Sequence, residues 1–315
     1  MGTRGSGILV PVPPRPGSSV PVDDDTFPPL RNALNRVFRP TGGDLTRDLP
    51  LLFAHENHGN LRVVTEADSS GRAGLRRIVA HAGFLRREAL VYNRRIRVAC
   101  VGAVFVAEDR RGQGIATQLL SDLLKDARRE ADLVIVSGDR GLYRREGFDP
   151  IPPLARFRIP QGLSNVARIQ VRDVTAGDID TLIHMHDATD VRFIRTAEDW
   201  TRLIEAGVLV DVPARLSLIL RDQRPVGFVA AQRTVPRMDG TMRPRRILEV
   251  AGDREAILDA APLLAEEMLL PRYATGTIDL AEQRGWIRTT RQFLITAEAL
   301  TADVIAIPWL GLNYV

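Results

Sequence analysis

One cysteine and one lysine in 315 residues set the first limits on this chain. A single thiol rules out an intrachain disulfide, and Cys100 falls inside an uncharged, β-branched stretch where a packing role is expected. With Lys125 the sole lysine, arginine serves as the general surface cation. Aromatic residues are scarce, at 5%, and few are interleaved with the arginines. No long basic run is present either, so no nucleic-acid partner is expected. Long apolar runs are missing as well. None reaches the roughly 20 residues that span a bilayer, and Gly7-Ile8-Leu9-Val10 is cut short by Pro11, Pro13 and Pro14. Neither a signal peptide nor a membrane partner is expected, and the expected location is cytoplasmic.

What is present is enough apolar material, 44%, to give a chain of this length two cores. Residues 1–25 are rich in Pro, Gly and Ser and end in Asp23-Asp24-Asp25, the composition of a loosely attached tail. Folding is expected from Phe27, with one domain over 26–160 and another over 161–315. Net charge is +4 but uneven: residues 1–160 carry 25 basic and 18 acidic side chains, residues 161–315 carry 18 and 21. The first half is therefore the one suited to a polyanion.

Periodicity predicts a helix through Leu30, Leu34, Val37 and Phe38, a second within 44–53, and strands over 61–67, 77–82 and 88–92. Ile96 to Val106 reads as a strand buried on both faces. The polar turn Glu108 to Gly114 follows, and from Ile115 apolar residues recur at helical spacing through Leu119, Leu120, Leu123, Leu124 and Ala127. Two glycines thus stand at a helix N-terminus, where unpartnered N–H groups and a positive dipole end attract phosphate. Gly112 and Gly114 let the backbone come close, Ala116 is small enough to do the same, and Arg111 adds forked donors. Arg110, Arg140, Arg144 and Arg145 are further candidate partners for phosphate. Leu133–Ser137 is the next buried strand, and Leu142-Tyr143-Arg144-Arg145-Glu146-Gly147-Phe148 closes the unit.

This order resembles the acetyl-CoA-binding core of the Gcn5-related N-acetyltransferases, the GNAT superfamily. Arg111-Gly112-Gln113-Gly114-Ile115-Ala116 meets its Arg/Gln-x-x-Gly-x-Gly/Ala signature, and Leu142 to Phe148 looks like its Tyr-x-x-x-Gly-Phe segment. The resemblance implies an α+β fold of two GNAT-like domains, each a mixed, mostly antiparallel sheet flanked by helices. It also implies acetyl transfer from acetyl-CoA to an amine-bearing small molecule or peptide. Main-chain groups of Val104, Phe105 and Val106 are then expected along the pantetheine arm, and the amides from Arg111 through Thr117 around the pyrophosphate. Tyr143 takes the general-acid position; a packed aromatic is its structural alternative. The general base stays open, because Arg97, Val98 and Ala99 offer no carboxylate where the family often has one. Glu66, Asp68, Glu88, Glu108, His81 or a water relay remain.

Two other classes stay in view. A non-catalytic acyl-CoA-binding module would use the same cradle with Tyr143 merely structural. A dinucleotide-binding oxidoreductase would need its third glycine at Thr117.

After residue 161 the pattern begins again, with strands over 168–174, 216–220, 226–232 and 246–251 and helices over 178–186, 197–206 and 253–269. Leu280 to Trp286 parallels Leu142 to Phe148. Asp253 and Glu255 stand where the first half has its glycine loop, and Ala281 where it has Tyr143. Such carboxylates repel phosphate, so the second half resembles a GNAT fold without its coenzyme site. Tandem GNAT chains include Eis-type enzymes and mycothiol synthases, and the resemblance to both is architectural. The apolar end, 305–315, is expected to dock on a domain or on another copy, which leaves a homo-oligomer open. His55 and His58 have metal-ligand character but no evident third ligand, so no metal is expected. His184 and His186, two apart on a helix, face different directions.

Overall fold

Two long β-hairpins with matching turns organise the computed structural model, which describes residues 19–67, 76–162, 169–209, 212–236, 241–292, 294–302, 304–308 and 312. The remaining residues, among them 1–18 of the expected tail, Asp68, and 309–311 and 313–315 of the apolar end, lie outside that description.

The chain enters through β1 (Val20–Pro21), α1 (Phe27–Phe38), the four-residue α2 (Leu45–Asp48) and a 3-10 helix, His55–Asn60. It then forms the meander β2 (Leu61–Ala67), β3 (Arg76–Val91) and β4 (Arg94–Val106). Helix α3 (Ile115–Glu130) crosses over to β5 (Leu133–Ser137), followed by α4 (Gly141–Arg145), β6 (Asp149–Pro150) and β7 (Leu154–Arg158). The second half opens with β8 (Ile169–Asp173), α5 (Ile179–Asp187), β9 (Val191–Phe193), α6 (Ala197–Ala206) and β10 (Val208–Leu209). Its hairpin is β11 (Val212–Arg221) and β12 (Arg224–Gln232), and its crossover runs from β13 (Arg246–Gly252) through α7 (Arg254–Leu264) to β14 (Glu267–Leu270). Helix α8 (Thr275–Gln283), β15 (Arg288–Arg291) and β16 (Ile295–Ala299) complete the chain.

Local chemistry explains the ends of these elements. Pro28 and Pro29 fit the first turn of α1, where a missing N–H costs nothing. Thr196 and Asp199 form a reciprocal capping box on α6, and Gly207 ends it in the left-handed conformation. Both hairpins turn on two residues of positive φ, Tyr92-Asn93 and Asp222-Gln223, the geometry that matches strand twist.

Each half supplies most of one sheet, and each sheet is mixed but mostly antiparallel. The first runs β1-β2-β3-β4-β5-β16-β6, with β9 also on β3; the second runs β10-β11-β12-β13-β14-β7-β15, with β8 on β11. Only β4–β5 and β13–β14 pair in parallel. The boundary expected at residue 160 separates β7 from β8, and the sheets trade strands across it. β7, from the first half, pairs with β14, and β16, from the second, pairs with β5 and β6. A continuous apolar core joins α1 and the first sheet to α5, α6 and the second sheet. Separate clusters lie beneath α3 and α7.

Several expected boundaries move. The strands over 77–82 and 88–92 are one sixteen-residue strand, because β2 covers its first part and β9 its last. Within it, Arg87 donates to Asp199 at 2.9 Å and to the Ile194 carbonyl at 2.7 Å. The helix expected to reach residue 269 stops at Leu264, and Glu267–Leu270 form β14, whose Glu267 meets Arg156 and Arg246. Val20–Pro21, expected in the tail, pair with β2, and Val22 is buried. Cys100 is buried as expected, with its thiol pushed up to about 12 by desolvation. Among the described residues no helix is long and apolar enough to cross a membrane.

The strand exchange yields a prediction. A chain ending at Pro160 loses β16 and bares the main-chain edge of β5, so it should aggregate on size-exclusion chromatography. A soluble monomer of that fragment with a cooperative melt would show that β16 is dispensable.

Candidate functional site

The site begins where β4 and β5 part. Their parallel pairing runs from Val98 opposite Leu133 to Val101 opposite Val136 and then stops, while β4 continues to Val106 with β3 alone beside it. On that stretch β4 bulges: Gly83 faces Gly102 and His81 faces Phe105, so Ala103 and Val104 share one partner position. Ala103 sits at φ 54°, a conformation that strains any residue with a Cβ. His81 holds it there, its ring nitrogen Nδ1 donating to the Ala103 carbonyl at 2.8 Å. The imidazole is wholly buried, and desolvation takes its pKa down to about 4, so it is neutral near pH 7.

Beyond β4 the chain passes a short 3-10 turn, Glu108–Arg110, and reaches Gly112 and Gly114, both at φ 78°. Gly114 is the N-cap of α3 and carries no side chain to satisfy the first helical N–H groups. An added Cβ at either glycine would meet nothing within 4 Å. The backbone therefore faces open space, and only glycine takes that φ without strain. Leu119, Leu120, Leu123, Leu124 and Ala127 seat α3 on the sheet as the periodicity predicts.

A cleft of about 370 Å³ opens between these parts. Val104, Phe105, Val106, Arg111, Gly112, Gly114, Ile115, Ala116, Thr117 and Tyr143 all line it; Gln113, in the same loop, does not. Val37 and Phe38 of α1 close one wall, a contribution with no signal in the sequence. Four arginines line the cleft, Arg110, Arg111, Arg140 and Arg145, and no carboxylate does. Arg110 is neutralised by Glu66 at 2.8 Å. Arg111, Arg140 and Arg145 make no ion pair among the described residues. Arg144 lies outside the lining.

Tyr143 stands on α4, and its carbonyl accepts from Phe148 N–H at 3.1 Å across the turn at Gly147. Its ring lies over Gly138, where an added Cβ would come within 2.7 Å of a ring carbon. Only 2% exposed, the phenol has its pKa raised by burial, against a smaller opposing effect from Arg140. It is a proton donor throughout the neutral range.

The candidate bases do not gather here. Glu66 is taken by Arg110, and Glu88 pairs with Arg95 at 2.8 Å, opposite Arg97 and far along β4 from the cleft. Glu108 is not part of the lining, and His81 is committed to the bulge. Asp68 lies outside the described residues.

The second half repeats this frame without the cradle. Trp286 N–H donates to the Ala281 carbonyl at 3.0 Å across Gly285, as Phe148 does to Tyr143 across Gly147. β13 also leaves its parallel partner early and bulges there, between Ile247 and Glu249. Yet only Asp253 separates β13 from α7, and its carboxylate accepts from Ala256 N–H at 2.9 Å while pairing with Arg221. The helix N-terminus is thus capped from within. Gly252 is packed so tightly that an added Cβ would sit 2.4 Å from the Val226 carbonyl. Nearby, Arg195 holds Glu249 as a buried pair; burial opposes the carboxylate, and Arg195 outweighs it, keeping the pKa below the ordinary value. Glu249 also accepts from Leu312 N–H at 2.8 Å, which fastens that residue of the apolar end to this half. His186 is buried and donates to the Phe193 carbonyl at 2.8 Å, while His184 is exposed, so the two face apart.

Comparison with known proteins bears on this geometry. A family model described as an acetyltransferase (GNAT) domain matches residues 21–151. A GCN5-related N-acetyltransferase from Anabaena variabilis superposes with a TM-score of 0.64 at 16% identity, over 90% of this chain and 73% of that one. One from Kribbella flavida gives 0.59 at 17%, over 90% and 72%. Eis1 from Mycobacterium abscessus gives 0.57 at 15%, over 91% and 75%. No curated protein matches the chain by sequence. At these identities the structures speak for the fold, and the family model speaks for the first half. Residues 21–151 form a domain of the GNAT acetyltransferase family.

Proposed function

We propose that this protein transfers the acetyl group of acetyl-CoA to an amine-bearing small molecule or peptide, with the chemistry in residues 26–160. Residues 161–315 are then a GNAT-like half that holds the first together and has no coenzyme site of its own. The observation that carries this reading is the cleft itself. An uncapped helix N-terminus with two left-handed glycines and three unpaired arginines, without a carboxylate, suits a pyrophosphate, and a buried phenol stands on the opposite wall.

The thioester supplies an activated acyl group; the chain's own groups do the rest. Amides from Gly112 to Thr117 and the Arg111 guanidinium hold the phosphates. Main chain of Val104 to Val106, free of β5, pairs with the pantetheine amides and faces the charge that develops on the carbonyl oxygen. As the amine nitrogen bonds to that carbon and the C–S bond breaks, the Tyr143 hydroxyl gives its proton to the sulfur. The amine's own proton passes to water, since no carboxylate lines the cleft, and water returns a proton to the Tyr143 phenolate.

Three measurements test this reading. Arg111→Glu sets a carboxylate against phosphate and should weaken acetyl-CoA binding at least tenfold, about 1.4 kcal/mol, by calorimetry. An unchanged affinity would remove the cradle. Tyr143→Phe should lower kcat by roughly a hundredfold with little change in coenzyme affinity. An equally active variant would leave Tyr143 a packing residue and favour a different proton donor. Titration of the intact chain should saturate at one acetyl-CoA; two equivalent sites would show that Asp253 does not close the second half.

A further inference from the structure

His55 and His58 occupy the first and fourth positions of the 3-10 helix that precedes β2. A 3-10 helix has three residues per turn, so side chains three apart eclipse one another, and the two imidazoles share one face with ring centroids 5.1 Å apart. The third group is invisible in the sequence because it lies 31 residues away. Asp24, in the turn between β1 and α1, places Oδ1 3.1 Å from His55 Nε2 and 3.7 Å from His58 Nδ1.

These spacings are those of a coordination shell. Ligand atoms bound at about 2.0–2.1 Å around a tetrahedral cation stand roughly 3.3 Å apart. The three atoms here all lie within 4.8 Å of one another, so a cation would have to draw them together by about an ångström or so at most. An ordinary His55–Asp24 ion pair does not account for His58. That side chain is only 12% exposed, its Nδ1 is buried without a hydrogen-bond partner, and it points at the same carboxylate oxygen. Phe27 fixes its plane by stacking on it at 4.2 Å.

We infer that Asp24, His55 and His58 bind one divalent cation of the zinc class, with solvent completing its shell. Two imidazoles and a carboxylate suit zinc far better than magnesium or calcium, which want oxygen. The cation would tie the turn before α1 to the 3-10 helix. Both elements bear on the rest of the molecule: the far end of α1 carries Val37 and Phe38 into the coenzyme cleft, and Glu56 of the 3-10 helix pairs with Arg202 of α6 at 2.5 Å. The clip is thus structural, and it is independent of the acyl-transfer reading.

The experiment is a calorimetric titration of untagged, chelator-stripped full-length protein with zinc chloride, with thermal melts alongside. One equivalent per chain and a higher melting temperature are expected. Asp24→Asn and His55→Gln change exposed side chains and should preserve the fold, yet each should weaken zinc binding about tenfold or more and abolish the thermal shift. X-ray absorption of the loaded protein should show two imidazoles with oxygen donors. No saturable zinc uptake by the wild-type chain, or uptake by both variants as tight as wild type, would overturn the assignment.

Discussion

Once β4 and β5 part after Val101, the main chain of residues 102–106 has a strand on one side only, and the rest of the first half is arranged around that exposed edge. Backbone N–H and C=O groups left unpaired inside a protein are costly, so an edge of this kind persists only if water or a ligand can reach it. The bulge at Ala103 sharpens the divergence, and a neutral, buried His81 fixes the bulge. Because α3 starts just past the end of β4, its bare N-terminus opens into the same gap. Splay, bulge and helix terminus form one device, and none of the three makes a binding site alone.

Keeping the gap open requires support from the other side of β5. That support comes from β16, which pairs with β5 along its whole length and whose Thr296 hydroxyl donates to the Gly138 carbonyl at 3.1 Å, just below Tyr143. The strand filling the matching place in the second sheet is β7. Each half is completed by the other, which is why the apolar core runs on between them. The two halves remain coupled in this way, since a strand of the second is part of the first half's sheet.

The halves differ in how a single helix end is satisfied. In the first, Gly114 leaves the donors of α3 to whatever enters the cleft; in the second, the Asp253 carboxylate takes one of them itself. Eight residues separate β4 from α3, and one separates β13 from α7. A shorter loop with an acidic cap satisfies the helix end from within while leaving strand, crossover and helix intact.

Most of the secondary structure and the local part of the site were legible because they depend on near neighbours along the chain. The glycine cradle, the apolar stripe of α3, β5 to the residue, and the Tyr143–Phe148 turn are all set within a few residues, and the loss of the cradle at Asp253 is visible for the same reason. Long-range pairing was not legible. Which strand lies beside β5, which acid neutralises Arg110, what fixes the backbone at Ala103, and which residue joins His55 and His58 depend on segments tens to hundreds of residues apart. Sequence determined which residues can bear chemistry; only the tertiary structure decided which of them are used up in holding it together, since every arginine–carboxylate pair looks alike until the fold brings its partners into reach.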